Sequence, residues 1–136
     1  MKIQKTDPLE TLKEVDQLII EDAQSKGHVL DSSISLAFSA TIEGEFVGGI
    51  KGTLQGTNLH INGLAVVHPQ HDQQIGSKLL QKTEDEARKL GVLVITLSTL
   101  DYQALGFYKK MGFHVLGEVK HVPEKDVTKY YLGKYL

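Results

Sequence analysis

A polar turn followed by a helix start is the stretch of this sequence best suited to chemistry. The apolar run 64–67 leads into the turn 68–74, and a helical pattern begins at Ile75. Gly76 and Ser77 fall in the first turn of that helix. A helix start carries N–H groups without helical partners and a partial positive charge, so it can bind a phosphate. The pattern therefore predicts strand, tight turn and helix around an anion site.

The turn also contains residue types that ligate metals, namely His68, His71 and Asp72. No third partner for the two histidines has a recognisable spacing, and the chain has no cysteine. Structural metal sites usually need four ligands and catalytic ones three. The sequence therefore predicts no metal site and no disulfide.

The composition sets the class of protein. The chain has 136 residues, 24% of them charged, and a net charge of −2. It therefore lacks the excess of basic residues that is typical of proteins that bind nucleic acid or a membrane surface. We find no apolar run long enough to span a bilayer and no signal segment in residues 1–5. We expect a single domain, 1–136, that is cytoplasmic and binds neither nucleic acid nor membranes.

The elements that must position the turn begin with a helix and an antiparallel meander. The helix is predicted over Pro8–Ser25, with Asp7 as N-cap and Gly27 at its end. Three strands joined by short turns should follow, at Ile34–Ile42, Glu45–Leu54 and Leu59–Gly63, the last running into 64–67. We expect the apolar run 64–67 to be buried on both faces of the sheet.

The second half predicts a parallel unit and an antiparallel end. The central helix should run from Ile75 to Leu90 with 84–86 as its solvated acidic face, and a buried strand should follow at 92–97. Such a unit implies parallel neighbours joined by a right-handed crossover. The remaining elements are a helix at 102–111 and strands at 114–120 and 127–135. Their tyrosines, 130, 131 and 135, are expected to pack in the sheet or in a homodimer interface.

Three segments carry a family resemblance: 64–66 before the turn, 73–80 after it, and 106–113 (Gly-Phe-Tyr-Lys-Lys-Met-Gly-Phe). With this order of elements the chain resembles the GNAT-type N-acetyltransferases. The resemblance implies an α/β fold with a mixed, splayed sheet, an antiparallel meander plus a parallel β-α-β unit, flanked by helices. It implies that acetyl-CoA lies between the strand before the turn and the next parallel strand, with its pyrophosphate on the turn.

The resemblance also implies the cofactor-binding residues. Main-chain groups at Leu64 and Val66 would hold the pantetheine arm, and the N–H of Val66 would donate to the oxyanion. The pyrophosphate would lie against the turn and the helix start, which are His71, Asp72, Gln73, Gln74, Ile75, Gly76 and Ser77. Asp101 occupies a place where the family often has an Asn that touches the cofactor. We also consider it as the N-cap of the next helix.

Tyr108 resembles the family's general acid, which protonates the leaving thiolate. The alternative interpretation is that Tyr108 is a core tyrosine whose hydroxyl is bound to the backbone. For the base, an imidazole with a reference pKa near 6.5 makes His60 a candidate, and Asn62 can position a water. The alternative for His60 is an ordinary satisfied or exposed histidine. Spacing by two predicts that both share a strand face with Leu64 and Val66.

The turn departs from the family pattern at His71 and Gln74, where a cationic or polar residue and a glycine are usual, while Gly76 is kept. Asp72 adds a negative charge, so we expect weaker CoA binding. The sequence predicts acetyl transfer from acetyl-CoA to a primary amine of an unidentified small molecule or peptide. The alternatives are a binding or sensor module with little activity and a small nucleotide-binding α/β protein. The early meander argues against the last.

Overall fold

The computed structural model describes residues 1–30, 32–67 and 74–136. They form two compact units, Met1–Ser32 and Ser33–Leu136. In the first unit, helix α1 spans Pro8–Ser25 as predicted, and the Asp7 carboxylate accepts the N–H of Leu9 at 3.3 Å. Gly27, at φ +82°, ends the helix. That the whole chain is one domain stays a prediction.

The second unit is built on a sheet of six strands in the order β1-β2-β3-β4-β6-β5. Neighbouring strands pair antiparallel except for β3 and β4, which are parallel. The predicted mixed sheet is therefore confirmed. The elements are β1 (Ile34–Ile42), β2 (Glu45–Gln55), β3 (Asn58–Val66), α2 (Ile75–Lys89), β4 (Val94–Leu100), α3 (Leu105–Lys110), β5 (His114–Lys120) and β6 (Thr128–Tyr135).

The parallel pair β3–β4 separates partway along its length. Pairing covers only Asn58–His60 against Val94–Thr96, although β3 continues to Val66. Among the described residues, β4 does not pair with the run 64–67, and Ala65 and Val67 are exposed. Our expectation that this run is buried on both faces is wrong, because Leu64 and Val66 pack against the core while Ala65 and Val67 lie on the other, exposed face.

A bulge in β3 changes which side chains share a face. Thr53 pairs with His60 and Gly52 with Ile61, but Lys51 pairs with Gly63, so Asn62 is the extra residue. Since one inserted residue reverses the alternation, His60 lies on the face of Gly63, opposite Leu64 and Val66. The predicted common face for His60 with Leu64 and Val66 is therefore wrong.

The core lies between α2 and one face of the sheet, which we call the α2 face. The helix periodicity predicts an inner stripe of Ile75, Leu79, Leu80, Thr83, Ala87 and Leu90; all are buried there except Leu90, which is exposed. Glu84 is only 1% exposed, so assigning it to the solvated face is wrong. Its carboxylate accepts two hydrogen bonds from Lys134 Nζ, at 2.9 and 3.1 Å, and the same ammonium donates to the Met111 carbonyl at 2.8 Å.

Two elements begin two or more residues later than predicted. β4 begins at Val94 rather than Val92, since the N–H of Val92 bonds to Ala87 O and closes the end of α2. α3 begins at Leu105 rather than Tyr102. Before it, the Gln103 side chain accepts the N–H of Leu100 at 2.9 Å, which holds residues 101–104 in a turn. Side-chain hydrogen bonds of this kind compete with helix formation.

The last strand, β6, lies between β4 and β5. Tyr130 packs against the core, whereas Tyr131 and Tyr135 are exposed. The homodimer interface stays a prediction.

In the described parts of the chain, no helix combines the length and the apolar character needed to cross a membrane.

Candidate active site

A cleft of about 900 Å³ opens where β3 and β4 separate. Its walls come from the end of β3, the start of α2, and α3. The lining residues are Leu64, Ala65, Val66, Gln74, Gly76, Ser77, Ala104, Phe107, Tyr108, Lys110 and Met111. The cleft therefore brings together five of the predicted cofactor residues and the predicted acid: Leu64, Val66, Gln74, Gly76, Ser77 and Tyr108.

The strand wall presents main-chain groups to the gap. The N–H of Val67 bonds to Val47 O at 2.8 Å. Antiparallel pairs alternate, so the pairs Ile50–Leu64 and Gly48–Val66 are of the type that does not exchange hydrogen bonds. The main-chain N–H and C=O groups of Leu64 and Val66 therefore point toward β4, the side on which the pantetheine arm is predicted to lie.

The start of α2 suits an anion. Gln74 precedes the helix in the left-handed conformation, at φ 57° and ψ 21°, and its side chain makes no cap hydrogen bond. The first turn contains no acidic residue. Ser77 Oγ donates its proton to Gln74 O at 2.9 Å. Ile75 is buried against the sheet. The predicted residues His71, Asp72 and Gln73 lie outside the described residues.

Tyr108 occupies the α3 wall. Its ring packs edge-on against Phe107 and Phe113, at centroid distances of 5.1 and 5.7 Å. The side chain is 7% exposed. Among the described residues its hydroxyl has no hydrogen-bond partner, and these residues contain no fully buried side-chain polar atom without one. The hydroxyl is thus the accessible end of the side chain, unlike a core tyrosine bound to the backbone.

Burial also changes the acidity of this phenol. Desolvation raises the pKa of Tyr108 above its ordinary value of 10.0. Tyr108 is therefore fully protonated at neutral pH and can donate a proton to a departing thiolate.

His60 lies on the face of the sheet opposite α2, where it joins a polar chain between β3 and β4. Thr96 Oγ1 donates its one proton to Asn58 Oδ1 at 3.2 Å. Toward His60 Nδ1, 2.9 Å away, the hydroxyl must therefore accept, which places the imidazole proton on Nδ1. Nε2 is then the basic nitrogen, and it has no partner within the described residues.

The two other predicted polar residues have structural partners. Thr53 Oγ1 donates to Asn62 Oδ1 at 2.8 Å, on the face that carries His60. The Asp101 carboxylate accepts the N–H of Thr128 at 3.0 Å, whereas the N-cap position of α3 is Ala104. The N-cap interpretation of Asp101 is wrong, and its contact with the cofactor stays a prediction.

A second cavity, of about 450 Å³, lies beside the cleft and is formed by β1, β2 and β3. We call it the β1–β3 cavity. Small residues form its floor on the face opposite α2, because Ala37 and Ser39 pair with Lys51 and Gly49, which in turn pair with Gly63 and Ala65. Leu64 and Ala65 line both openings.

Two larger side chains, Phe46 and Lys51, lie next to the glycines of this floor. A Cβ at Gly49 would lie 3.2 Å from the Phe46 ring, and a Cβ at Gly63 would lie 3.5 Å from Lys51 Cε. Gly49 thus permits the close approach of the Phe46 ring, whereas a Cβ at Gly63 would make an ordinary contact with Lys51. Sequence reasoning missed Phe46, Lys51 and Lys110; the glycines of β2 were the available signal for the first two. In the described ranges, no group of three His, Cys, Asp or Glu side chains could hold a metal.

The open helix start leads to a prediction for Gln74→Gly. Its main-chain oxygen accepts hydrogen bonds from Ser77 and Lys78, and a glycine keeps both while fitting the positive φ. Removing the Gln74 side chain clears space for the phosphate, so the CoA dissociation constant should fall by about two- to fivefold. This is less than the tenfold change that corresponds to about 1.4 kcal/mol. Calorimetry checks this, with pantetheine as the control ligand; equal tightening for pantetheine would contradict the phosphate explanation.

Comparisons with known proteins agree with this architecture. The family model described as "Acetyltransferase (GNAT) family" matches residues 3–113. The blasticidin-S acetyltransferase of Streptomyces morookaense is 32% identical over 94 residues, which cover 68% of each chain. An acetyltransferase from Bacillus cereus superimposes with a TM-score of 0.89 at 27% identity, covering 100% of this chain and 98% of that one.

A third similarity concerns the fold alone. An aminoglycoside 6′-N-acetyltransferase solved with coenzyme A has a TM-score of 0.67 at 18% identity, over 99% of this chain and 95% of its own. The open helix start and the splayed strand edge fit an extended, anionic acetyl donor. Since the family model covers most of the sequence, the chain belongs to the GNAT acetyltransferase family, and it is an acetyltransferase with acetyl-CoA as its acetyl donor.

Proposed function

We propose that this enzyme acetylates a primary amine of a small molecule that enters through the β1–β3 cavity. One observation carries the proposal: the cavity and the cleft share Leu64 and Ala65, so an amine in one opening is next to a thioester in the other. Holding two reactants in place supplies roughly 7–11 kcal/mol of such a barrier.

The residues have complementary roles in this proposal. The amine nitrogen bonds to the acetyl carbon while the carbon–sulfur bond breaks. His60 Nε2 takes the amine proton, directly or through a water held by Asn62, and Tyr108 gives its phenolic proton to the sulfur. The N–H of Val66 stabilises the negative carbonyl oxygen. Solvent then returns a proton from His60 to Tyr108, which restores both side chains.

The chemistry of the β1–β3 cavity indicates the class of acceptor. Lys51 is the one charged side chain among its described lining residues, and Phe46, 62% exposed, offers a ring face. A cation beside the amine favours its neutral, nucleophilic form. The same cation repels polycationic acceptors and attracts a carboxylate. We therefore propose an amine that also carries a planar ring and an anionic group.

Thioester consumption with matched acceptors tests this class. Phenylalanine and 2-phenylethylamine differ by one carboxylate, so the parent should prefer phenylalanine in kcat/KM. Lys51→Glu should reverse that preference, with a combined change of about tenfold or more because a like charge then faces the carboxylate. Lys82→Glu, an exposed position on α2 that lines neither opening, is the control.

The panel should also include blasticidin S and a polycationic aminoglycoside, which are named in the relatives' descriptions. We expect the aminoglycoside to be the poorer acceptor. A better rate with the aminoglycoside, unaffected by Lys51→Glu, would contradict the proposed acceptor class and place the amine elsewhere.

A further inference from the structure

We propose that Lys110 binds the pyrophosphate of acetyl-CoA from across the cleft and supplies the cation that the turn before α2 lacks. This inference rests on the proposed placement of acetyl-CoA in the cleft. It assigns to α3 a binding role in addition to its position as carrier of Tyr108.

The sequence of the turn 68–74 lacks a cation that could compensate the charge of a pyrophosphate. A pyrophosphate carries negative charge, and the turn 68–74 contains Asp72 but no Lys or Arg. The N–H groups at the start of α2 contribute a partial charge of about half an elementary charge, and Lys78, in the first turn of α2, is not among the described residues that line the cleft. The turn and the helix start alone therefore leave most of the phosphate charge uncompensated.

Lys110 is placed to correct this deficit. It is the one charged side chain among the described residues that line the cleft, and it shares that lining with Gly76 and Ser77 at the start of α2. No ion pair or hydrogen bond joins its ammonium to another residue in the described ranges. Its charge is thus available to a ligand.

Lys109 provides the internal comparison. Both lysines lie in the last turn of α3, where a positive charge interacts favourably with the helix dipole. Both are exposed, yet only Lys110 lines the cleft. A role limited to the helix dipole or to general surface charge predicts the same behaviour for the two residues, whereas a phosphate contact predicts different behaviour.

Calorimetric titration of the parent, Lys110→Ala and Lys109→Ala with CoA separates these possibilities. We expect Lys110→Ala to weaken CoA binding by about three- to tenfold, as for loss of one charge-assisted contact. Lys109→Ala should change it by less than about twofold. Added salt should reduce the difference between parent and Lys110→Ala, and Lys110→Arg should restore most of the affinity.

Two further ligands identify the group that is bound. 3′-Dephospho-CoA keeps the pyrophosphate, so it should show the same loss, and pantetheine, which has no phosphate, should show none. A loss seen with CoA but not with 3′-dephospho-CoA would overturn the assignment in favour of the 3′-phosphate. Equal losses in the two lysine variants, or a loss with pantetheine, would overturn it as well. If CoA does not bind the parent, the proposed placement itself fails.

Discussion

Replacing Tyr108 with phenylalanine is expected to lower kcat by about a hundred- to ten-thousand-fold, the usual cost of losing a positioned general acid. The ring contacts with Phe107 and Phe113 remain, and the hydroxyl has no partner among the described residues. The melting temperature and the acetyl-CoA dissociation constant should therefore stay close to those of the parent. Stopped-flow or coupled thiol-release assays measure the rate, and calorimetry measures the affinity.

Tyr130→Phe is the matched control, because Tyr130 also packs against the core but lies on β6 outside the cleft. It should leave kcat unchanged. If Tyr108→Phe instead loses stability and keeps its turnover per folded molecule, Tyr108 is a structural core residue and the acid lies elsewhere.

Burial of Tyr108 also has a consequence for stability at high pH. Its folded-state pKa is raised above 10.0, so the folded protein holds the phenolic proton more tightly than the unfolded chain. This contribution to the free energy of unfolding is complete below about pH 10 and decreases as the pH rises toward the folded-state pKa. Tyr108→Phe should lack that component of alkaline destabilisation.

The second large effect is expected from Lys134→Met, which should lower the free energy of unfolding by about 3–5 kcal/mol. The substitution leaves the buried Glu84 carboxylate without the ammonium at 2.9 Å and removes the donor to Met111 O. Arg88 Nη1, 4.0 Å from the Glu84 carboxylate and half-exposed, compensates little. Denaturant unfolding of the variant and the parent measures the difference.

Two companion variants interpret this result. Arg88→Met removes the exposed partner and should cost less than about 1 kcal/mol. The double variant Glu84→Met/Lys134→Met should recover much of the stability, since an apolar pair can replace a buried ion pair. A cost for Lys134→Met no larger than that for Arg88→Met would contradict the interpretation that the Glu84–Lys134 pair stabilises the fold.

Local sequence patterns predicted the order of the elements, because each element depends on periodicity within one segment. The strand–helix–strand order then predicted the parallel β3–β4 pair, and the family resemblance pointed to Tyr108. The Glu84–Lys134 pair was missed because its partners are separated by 50 positions, and no local pattern reports such a contact. One signal was available: Glu84 follows Leu80 by four positions and precedes Ala87 by three, which places it on the buried stripe.

The site was predicted less completely for a similar reason. A strand pattern with a period of two assigned His60 and Leu64 to one face, and a single extra residue at Asn62 reversed that assignment. Bulges depend on how two strands pair, so one strand's sequence does not determine them. The β1–β3 cavity likewise depends on the register that aligns Gly49 and Gly63 with their neighbours.

Among the described residues the two openings share Leu64 and Ala65, while the rest of the cavity wall comes mainly from β1 and β2 and the rest of the cleft wall mainly from α2 and α3. In the proposed arrangement, donor affinity depends mainly on residues of α2 and α3, while the acceptor wall belongs mainly to β1 and β2. Substitutions at positions such as Ala37, Ser39 or Phe46 can thus alter which amine is accepted without altering the donor site. The scaffold is modular in this sense, and a library of variants confined to β1 and β2 should yield new acceptor preferences at constant CoA affinity.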